Sequence, residues 1–151
     1  MALPNGIVGN LFGPVEGRRH DSSILYASGL LAELERVAWV DQEPLCIYGD
    51  PAYPLSVYLQ APYRDVQLTD EMQMYNQSMS AVRTSVEWLF GLIKNYFKFV
   101  DFKKNLKIGL SAVGKTYCVS SILQNAHTCL YGNIVSEYFD LEPPSLQEYF
   151  R

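Results

Sequence analysis

The strongest pattern in the sequence is a long run in which apolar positions recur at helical spacing. From about Glu71 to Phe97 a single apolar stripe is formed by Val82, Val86, Leu89, Ile93 and Phe97. Thr69 or Asp70 is placed to cap this helix, and Gly91 is its one weak position. The pattern therefore predicts a long helix with one buried face.

Two further helices are predicted, one on each side of it. After "HDSS", Asp21 or Ser22 can cap a helix whose apolar stripe is Ile24, Leu25, Leu30, Leu31 and Leu34. The segment "SAVGKTYCVSSILQNAHTCLYG" is typical of another helix, with Gly132 as its stop. The tail "EYFDLEPPSLQEYF" is acidic and broken by two prolines; it either packs through its aromatic residues or extends from the domain.

Strands are predicted where short apolar runs adjoin turn residues. "IVGNLF" follows the turn signal "PNG", and the arm before that turn is only Ala2 and Leu3. "LCIYGD" predicts a buried strand, residues 55–71 are expected to be irregular, and "FKFVDFK" is compatible with a strand or a loop. The order β, β, α, β, α, an undecided segment and α predicts an α/β or α+β layered domain, a sheet against helices.

Composition narrows the class of protein. The chain has 151 residues, of which 48% are hydrophobic and 19% charged, as expected of one globular domain. No run approaches the length of a membrane helix, and "MALPNGIVGN" lacks the features of a secretory signal. Cys46, Cys118 and Cys129 show no CxxC spacing, which favours a reducing compartment and argues against disulfides or structural zinc.

Charge is unevenly distributed along the chain. The net charge of −4 does not suggest a nucleic-acid-binding protein. Residues 83–107, however, carry six basic and two acidic side chains, whereas residues 41–80 carry six acidic and one basic. This pattern is either an ordinary solvated surface or a basic platform for phosphates beside an acidic metal site.

Asp50 attracts attention because it ends a predicted strand. Pro51 prevents the strand from continuing, and catalytic groups in sheet folds often lie just past strand ends. The alternative is a local Asp-Pro turn in which the carboxylate accepts hydrogen bonds from backbone amides.

Glu87 lies one residue away from the buried stripe of the long helix. Arg83, Gly91 and Lys94 share its face, so an Arg83–Glu87 surface ion pair is the simplest interpretation, and Gly91 could permit close approach of backbone, metal or ligand. Together with Asp50, however, Glu87 could converge on a hard divalent cation. Mg²⁺ typically takes one or two protein carboxylates together with water and substrate phosphate.

The chain resembles the C-terminal part of the DDE endonuclease domain of PIF/Harbinger-type transposases and their domesticated nuclease relatives. The resemblance is carried in order by "LPNGIVGNLFGPVEGRRHDSSIL", "YGDPAYP", "YNQSMSAVRTSVEWLFGLIKNYFKFVDFK" and "AVGKTYCVSSILQNAHTCLYG". "GDPAYP" corresponds to the second-Asp motif of the family and "VRTSVEWLFG" to its Glu motif. The resemblance implies an RNase H-like α/β fold with a mixed sheet, Mg²⁺ or Mn²⁺ as cofactor, DNA as substrate and a nuclear location.

The resemblance also implies which residues act and which part of the family domain is missing. Asp50 and Glu87 take the places of the second and third catalytic acids, and the first Asp belongs to a strand before the "PNG" turn. We therefore expect an N-terminally truncated DDE domain at 3–132, followed by a tail at 133–151. Such a fragment would have an exposed strand edge near its start, would be inactive alone, and could depend on a separate DNA-binding partner protein.

The other candidate residues have open roles. Asp21 is either a third metal ligand or a helix N-cap, and His20 is expected to bond within a turn. Basic side chains that could contact phosphate are Arg18, Arg19, Arg83, Lys94 and Lys98. His127 and Cys129 point to different helix faces, which favours packing over metal binding, and the aromatic residues either stack on unpaired bases or fill the core.

Two functions remain open. The first is metal-dependent cleavage and strand transfer of DNA with Asp50 and Glu87 as ligands. The second is a domesticated, non-catalytic DNA- or protein-binding module that keeps the scaffold of a transposase.

Overall fold

The computed structural model describes residues 1–15, 18–101 and 112–151. The chain divides into two compact units: unit 1 comprises Met1–Pro14 and Thr84–Arg151, and unit 2 comprises Val15–Arg83. The described elements mix helices with two separate two-stranded sheets, which is compatible with the α/β class; the single mixed sheet that was expected is not formed among the described residues. No described helix is long and apolar enough to cross a membrane.

Unit 2 begins with two short helices where one had been predicted. Helix α1 spans Asp21–Ser28 and helix α2 spans Leu30–Val37. Gly29 separates them in the left-handed conformation (φ 66°), which ends α1 and reorients the chain. Leu25 and Leu34 are the buried members of the predicted stripe.

The predicted cap of the first helix is wrong. Residue His20 holds the N-cap position without a side-chain bond, and Asp21 is the first helical residue. The helix therefore starts one residue earlier than expected. In that position the Asp21 carboxylate lies in the first turn, where it interacts favourably with the positive end of the helix dipole.

Two small sheets follow in unit 2. Strands β1 (Trp39–Val40) and β2 (Glu43–Pro44) form an antiparallel hairpin that is not among the predicted elements. Strands β3 (Ile47–Tyr48) and β4 (Leu59–Gln60) pair in parallel, with Ile47 opposite Leu59. β3 confirms the predicted strand in "LCIYGD", although it is shorter than expected, and β4 interrupts a segment predicted to be irregular.

Helix α3 spans Asp70–Tyr96 and confirms the long predicted helix. The Thr69 hydroxyl accepts a hydrogen bond from the Met72 backbone at 3.3 Å, so Thr69 caps it. Leu89 and Ile93 of its apolar stripe are fully buried in the core of unit 1, where Val100 and Val135 join them. A 3₁₀ turn at Lys98–Val100 follows, and the last two residues of "FKFVDFK", Phe102 and Lys103, lie outside the described residues.

The described residues 112–151 of unit 1 are mainly helical. Helix α4 spans Val113–Tyr131 and ends at Gly132 (φ 68°), as predicted. The tail packs rather than extending, because α5 (Ile134–Phe139) contributes the buried Val135 and α6 (Leu146–Tyr149) contacts α4. Capping boxes at Asn133 and Ser145 start these two helices.

The "PNG" turn forms, but the strands beside it reduce to a single bridge. Leu3 donates to the Ile7 carbonyl at 2.9 Å, Gly6 has φ 81°, and Ala2 opposes Val8. On the other side of Val8, the Asn125 side chain accepts from its backbone N–H at 2.8 Å and donates to its carbonyl at 2.9 Å. The expectation of an exposed strand edge is therefore wrong at Val8, because an amide side chain offers the same donor and acceptor as a neighbouring strand.

Candidate functional site

Asp50 lies in a turn at the end of β3, with its side chain 49% exposed. Its Oδ1 accepts a hydrogen bond from the Ala52 backbone at 3.0 Å, and its carbonyl accepts one from the Tyr53 backbone at 3.1 Å. The local Asp-Pro turn is thus present. It fixes the orientation of the carboxylate without covering it, so the second oxygen remains available for another partner.

That second partner is Arg83 of helix α3. Its guanidinium lies 3.5 Å from Asp50 Oδ2, and its side chain is 45% exposed. In the part of the chain that the structure describes, Arg83 forms its ion pair with Asp50 and not with Glu87. The interpretation of Arg83 and Glu87 as an ion pair is therefore wrong, because α3 presents Arg83 to the turn after β3.

Glu87 follows Arg83 by one turn of α3 and is exposed. Gly91 comes one turn later, and apart from its chain neighbours and the adjoining backbone of α3, no described atom lies within 4 Å of a Cβ built on it. No described backbone group therefore needs the glycine.

Lys94 and Lys98 are also exposed, whereas Lys103, Lys104 and Lys107 lie outside the described residues. Asp50 belongs to unit 2 and Glu87 to unit 1, so their shared site stays a prediction.

Asp21 and Asp50 act on a common neighbour in unit 2. Burial raises the pKa of the Tyr53 phenol, and the negative charges of Asp21 and then Asp50 raise it further. The two carboxylates therefore lie within electrostatic range of one hydroxyl. Tyr53 was not singled out from the sequence, although its place three residues after Asp50 in "DPAYP" was a signal. Arg18, Arg19 and His20 are exposed nearby in sequence.

Removing either carboxylate should lower the pKa of Tyr53. A neutral neighbour no longer penalises the phenolate, so Asp21→Asn and Asp50→Asn should each move the pKa down towards the ordinary value of about 10. Titration by NMR of ¹³Cζ-labelled tyrosine measures it. Asp41→Asn, in the hairpin turn of the same unit, is the matched control and should leave the pKa of Tyr53 unchanged. If Asp21→Asn also left that pKa unchanged, Asp21 would not be close enough to Tyr53 to belong to this site.

The donor atoms present suit a hard cation. The Asp50 and Glu87 carboxylates are exposed oxygen donors of the kind that Mg²⁺ and Mn²⁺ take, usually with several waters. Among the described residues no three His, Cys, Asp or Glu side chains form a group that could hold a metal. His127 packs between the rings of Tyr96 and Tyr131, with centroids 4.8 and 4.9 Å away, which confirms that it is a packing residue.

Comparison with models of known protein families shows to which family the chain belongs. The family model described as DDE superfamily endonuclease matches residues 1–125, which include Asp21, Asp50 and Glu87. The chain belongs to the DDE superfamily endonucleases. Members of this family act on DNA, generally use divalent metals, and have an RNase H-like fold. Neither a curated protein nor a solved structure matches the chain.

Proposed function

We propose that this DDE endonuclease chain takes part in divalent-metal-dependent cleavage and strand transfer of DNA, as the Harbinger-type branch of the family does, in the nucleus. The observation that supports it is the half-exposed Asp50 carboxylate, fixed by a turn at the end of β3 beside the Arg83 guanidinium. In open α/β sheets, ligands bind just beyond the carboxyl ends of such strands.

Asp50 and Glu87 would hold Mg²⁺ or Mn²⁺ in this function. When bound, the metal lowers the pKa of an attacking water and neutralises charge on the leaving oxygen. The Ala52 amide holds Asp50 Oδ1 in place, so Oδ2, which lies 3.5 Å from the Arg83 guanidinium, would be the oxygen that binds the cation. Arg83, released from Asp50, would then contact DNA phosphate, with Arg18, Arg19, Lys94 and Lys98 as further contacts.

A second candidate function is non-catalytic DNA or protein binding. It is favoured by the Asp50–Arg83 ion pair itself, because the guanidinium engages the oxygen that a metal would need. In that case Asp50 would only support the turn and orient Arg83.

Metal binding separates the two candidates. With Mn²⁺ as the probe and electron paramagnetic resonance as the readout, Asp50→Asn and Glu87→Gln should each weaken binding roughly tenfold, about 1.4 kcal/mol. Asp41→Asn and Glu35→Gln, which replace exposed acids outside the site, should bind Mn²⁺ as the parent chain does. Cleavage of labelled duplex DNA is measured on the same variants; it should be weak in the parent chain, which is expected to be inactive alone, and any cleavage that remains should be lost with Asp50→Asn.

Equal Mn²⁺ affinity in the parent chain and Asp50→Asn would reject Asp50 as a ligand. If the parent chain then still retained duplex DNA in EDTA, the non-catalytic candidate would be the better account.

A further inference from the structure

A cleft opens in unit 2 next to Asp50. It is an open cleft with a volume of about 360 Å³, and its wall includes Pro51, the residue that follows Asp50. Three tyrosines, Tyr53, Tyr63 and Tyr75, also line it. This volume is at the lower end of the range for small-ligand pockets and suits one flat group rather than a folded surface.

The tyrosines form a supported aromatic wall. The rings of Tyr63 and Tyr75 meet edge to face with centroids 5.3 Å apart, and Tyr48 packs edge-on against Tyr75 at 6.2 Å. Tyr63 nevertheless remains 47% exposed. An aromatic side chain that is packed on one side and open on the other offers a stacking surface to a planar ligand.

Helix α3 holds Tyr63 in position. The Asn76 side chain accepts a hydrogen bond from the Tyr63 backbone N–H at 3.0 Å and donates one to its carbonyl at 3.1 Å. Both backbone groups of a loop residue are thereby bound to a long helix. The stacking surface is preorganised, so little conformational entropy is lost when a ligand binds.

The polar groups of the wall define the chemistry of the ligand. Arg64 supplies a cation for a phosphate, and Asp65 supplies an acceptor for an exocyclic amino group such as the N4 amine of cytosine. Their charges cancel, so the cleft offers no strong attraction for phosphate alone. Aromatic rings with one acceptor and one cation fit a nucleotide better than either a free anion or an apolar peptide.

We propose that this cleft binds an unpaired nucleobase of the DNA strand whose phosphate lies at Asp50. The inference rests on the proposed function in that DNA is the substrate, and it adds that one base beside the cleavage point leaves the duplex. Tyr63 stacks on that base, and Asn76 is a positioning residue that acts through Tyr63.

Single-stranded oligonucleotides test the inference without metal. The probes are a fluorescein-labelled dodecamer of deoxycytidine and the same backbone with abasic sites, with anisotropy measured in EDTA. Tyr63→Ala should weaken binding of the deoxycytidine dodecamer roughly 5- to 150-fold, the range for loss of one stacked base. Tyr63→Phe should stay within about twofold, and so should Tyr26→Ala, which removes a tyrosine that is 90% exposed and outside the cleft wall.

The binding experiment can reject the base-binding inference independently of any result on DNA cleavage. The abasic dodecamer should bind weakly and be insensitive to Tyr63→Ala. Equal binding of both probes, no binding of either, or an unaffected Tyr63→Ala would each overturn the inference, and circular dichroism verifies that each variant is folded. Because EDTA removes metal, failure of metal-dependent cleavage would leave a positive base-binding result standing. Conversely, if cleavage depended on metal but Tyr63→Ala did not change binding of the dodecamer, the proposed function would stand and the base-binding inference would be rejected.

Discussion

Asn125→Ala is expected to destabilise unit 1 by about 2–5 kcal/mol, since it removes three buried or partly buried hydrogen bonds at once. Asn125 bonds both backbone groups of Val8 and donates to the Tyr149 hydroxyl at 2.9 Å. Val8 is 9% exposed, so its N–H and carbonyl would lose their partner without gaining water. Each buried group left unpaired costs about 1–3 kcal/mol.

The measurement is urea denaturation followed by circular dichroism. Asn95→Ala, a substitution at an exposed position of α3, is the matched control and should be neutral or slightly stabilising, because alanine has the higher helix propensity. Asn125→Asp keeps the acceptor but loses the donor, and should also be destabilising near neutral pH. A change below about 0.5 kcal/mol for Asn125→Ala would show that the start of the chain is not held by this amide.

The sequence predicted the elements that depend on local signals. Helix α3 was found because its apolar positions repeat over a long stretch, and its cap at Thr69 is a local hydrogen bond. The "PNG" turn was found because Gly6 must adopt a positive φ. The two-residue strands were missed or overextended because such short segments show no alternation.

Helix α4 shows why pattern alone fails. Its buried residues are polar, namely Ser120, Ser121, Gln124, Asn125 and Thr128, whereas Val119, Ile122 and Leu123 are exposed. The buried hydroxyls remain satisfied because they donate to carbonyls one turn earlier in the same helix, as Ser120 does to Thr116 at 2.9 Å. Hydrophobic periodicity counts apolar residues and cannot anticipate a buried face whose hydroxyls bond carbonyls of their own helix and whose Asn125 amide bonds the backbone of Val8.

The candidate site, like the fold, was predicted from the sequence only in part. Asp50 stood out because an apolar run stops there, and the structure places it in an exposed turn. Its partner was missed, because spacing within a helix points Arg83 to Glu87, whereas the Asp50 contact joins residues far apart in the sequence. The cleft lined by tyrosines could not be predicted either, because it also depends on contacts between residues far apart in the sequence. Tyr63 is held by Asn76, and only tertiary structure brings these two residues together.

Substitutions of Arg83 should tighten metal binding in a graded way. Two unit charges about 4 Å apart interact by about 1 kcal/mol in water, and the Asp50–Arg83 pair is about half exposed, so the water value applies. Arg83→Gln removes one repulsive charge and frees Asp50 Oδ2, and should tighten Mn²⁺ binding about fivefold. Arg83→Glu changes the charge by two and should tighten it roughly 25-fold.

The same substitutions should have the opposite effect on DNA. If Arg83 contacts phosphate, Arg83→Gln should weaken binding of duplex DNA and reduce the slope of its salt dependence by about 1. Arg36→Gln and Arg36→Glu are the matched controls, because Arg36 also pairs with an exposed carboxylate in unit 2, that of Glu33. Mn²⁺ affinity that stays constant across the Arg83 series would mean that Asp50 does not bind metal. The Asp50–Arg83 ion pair would then have only a structural role, linking the turn after β3 to helix α3.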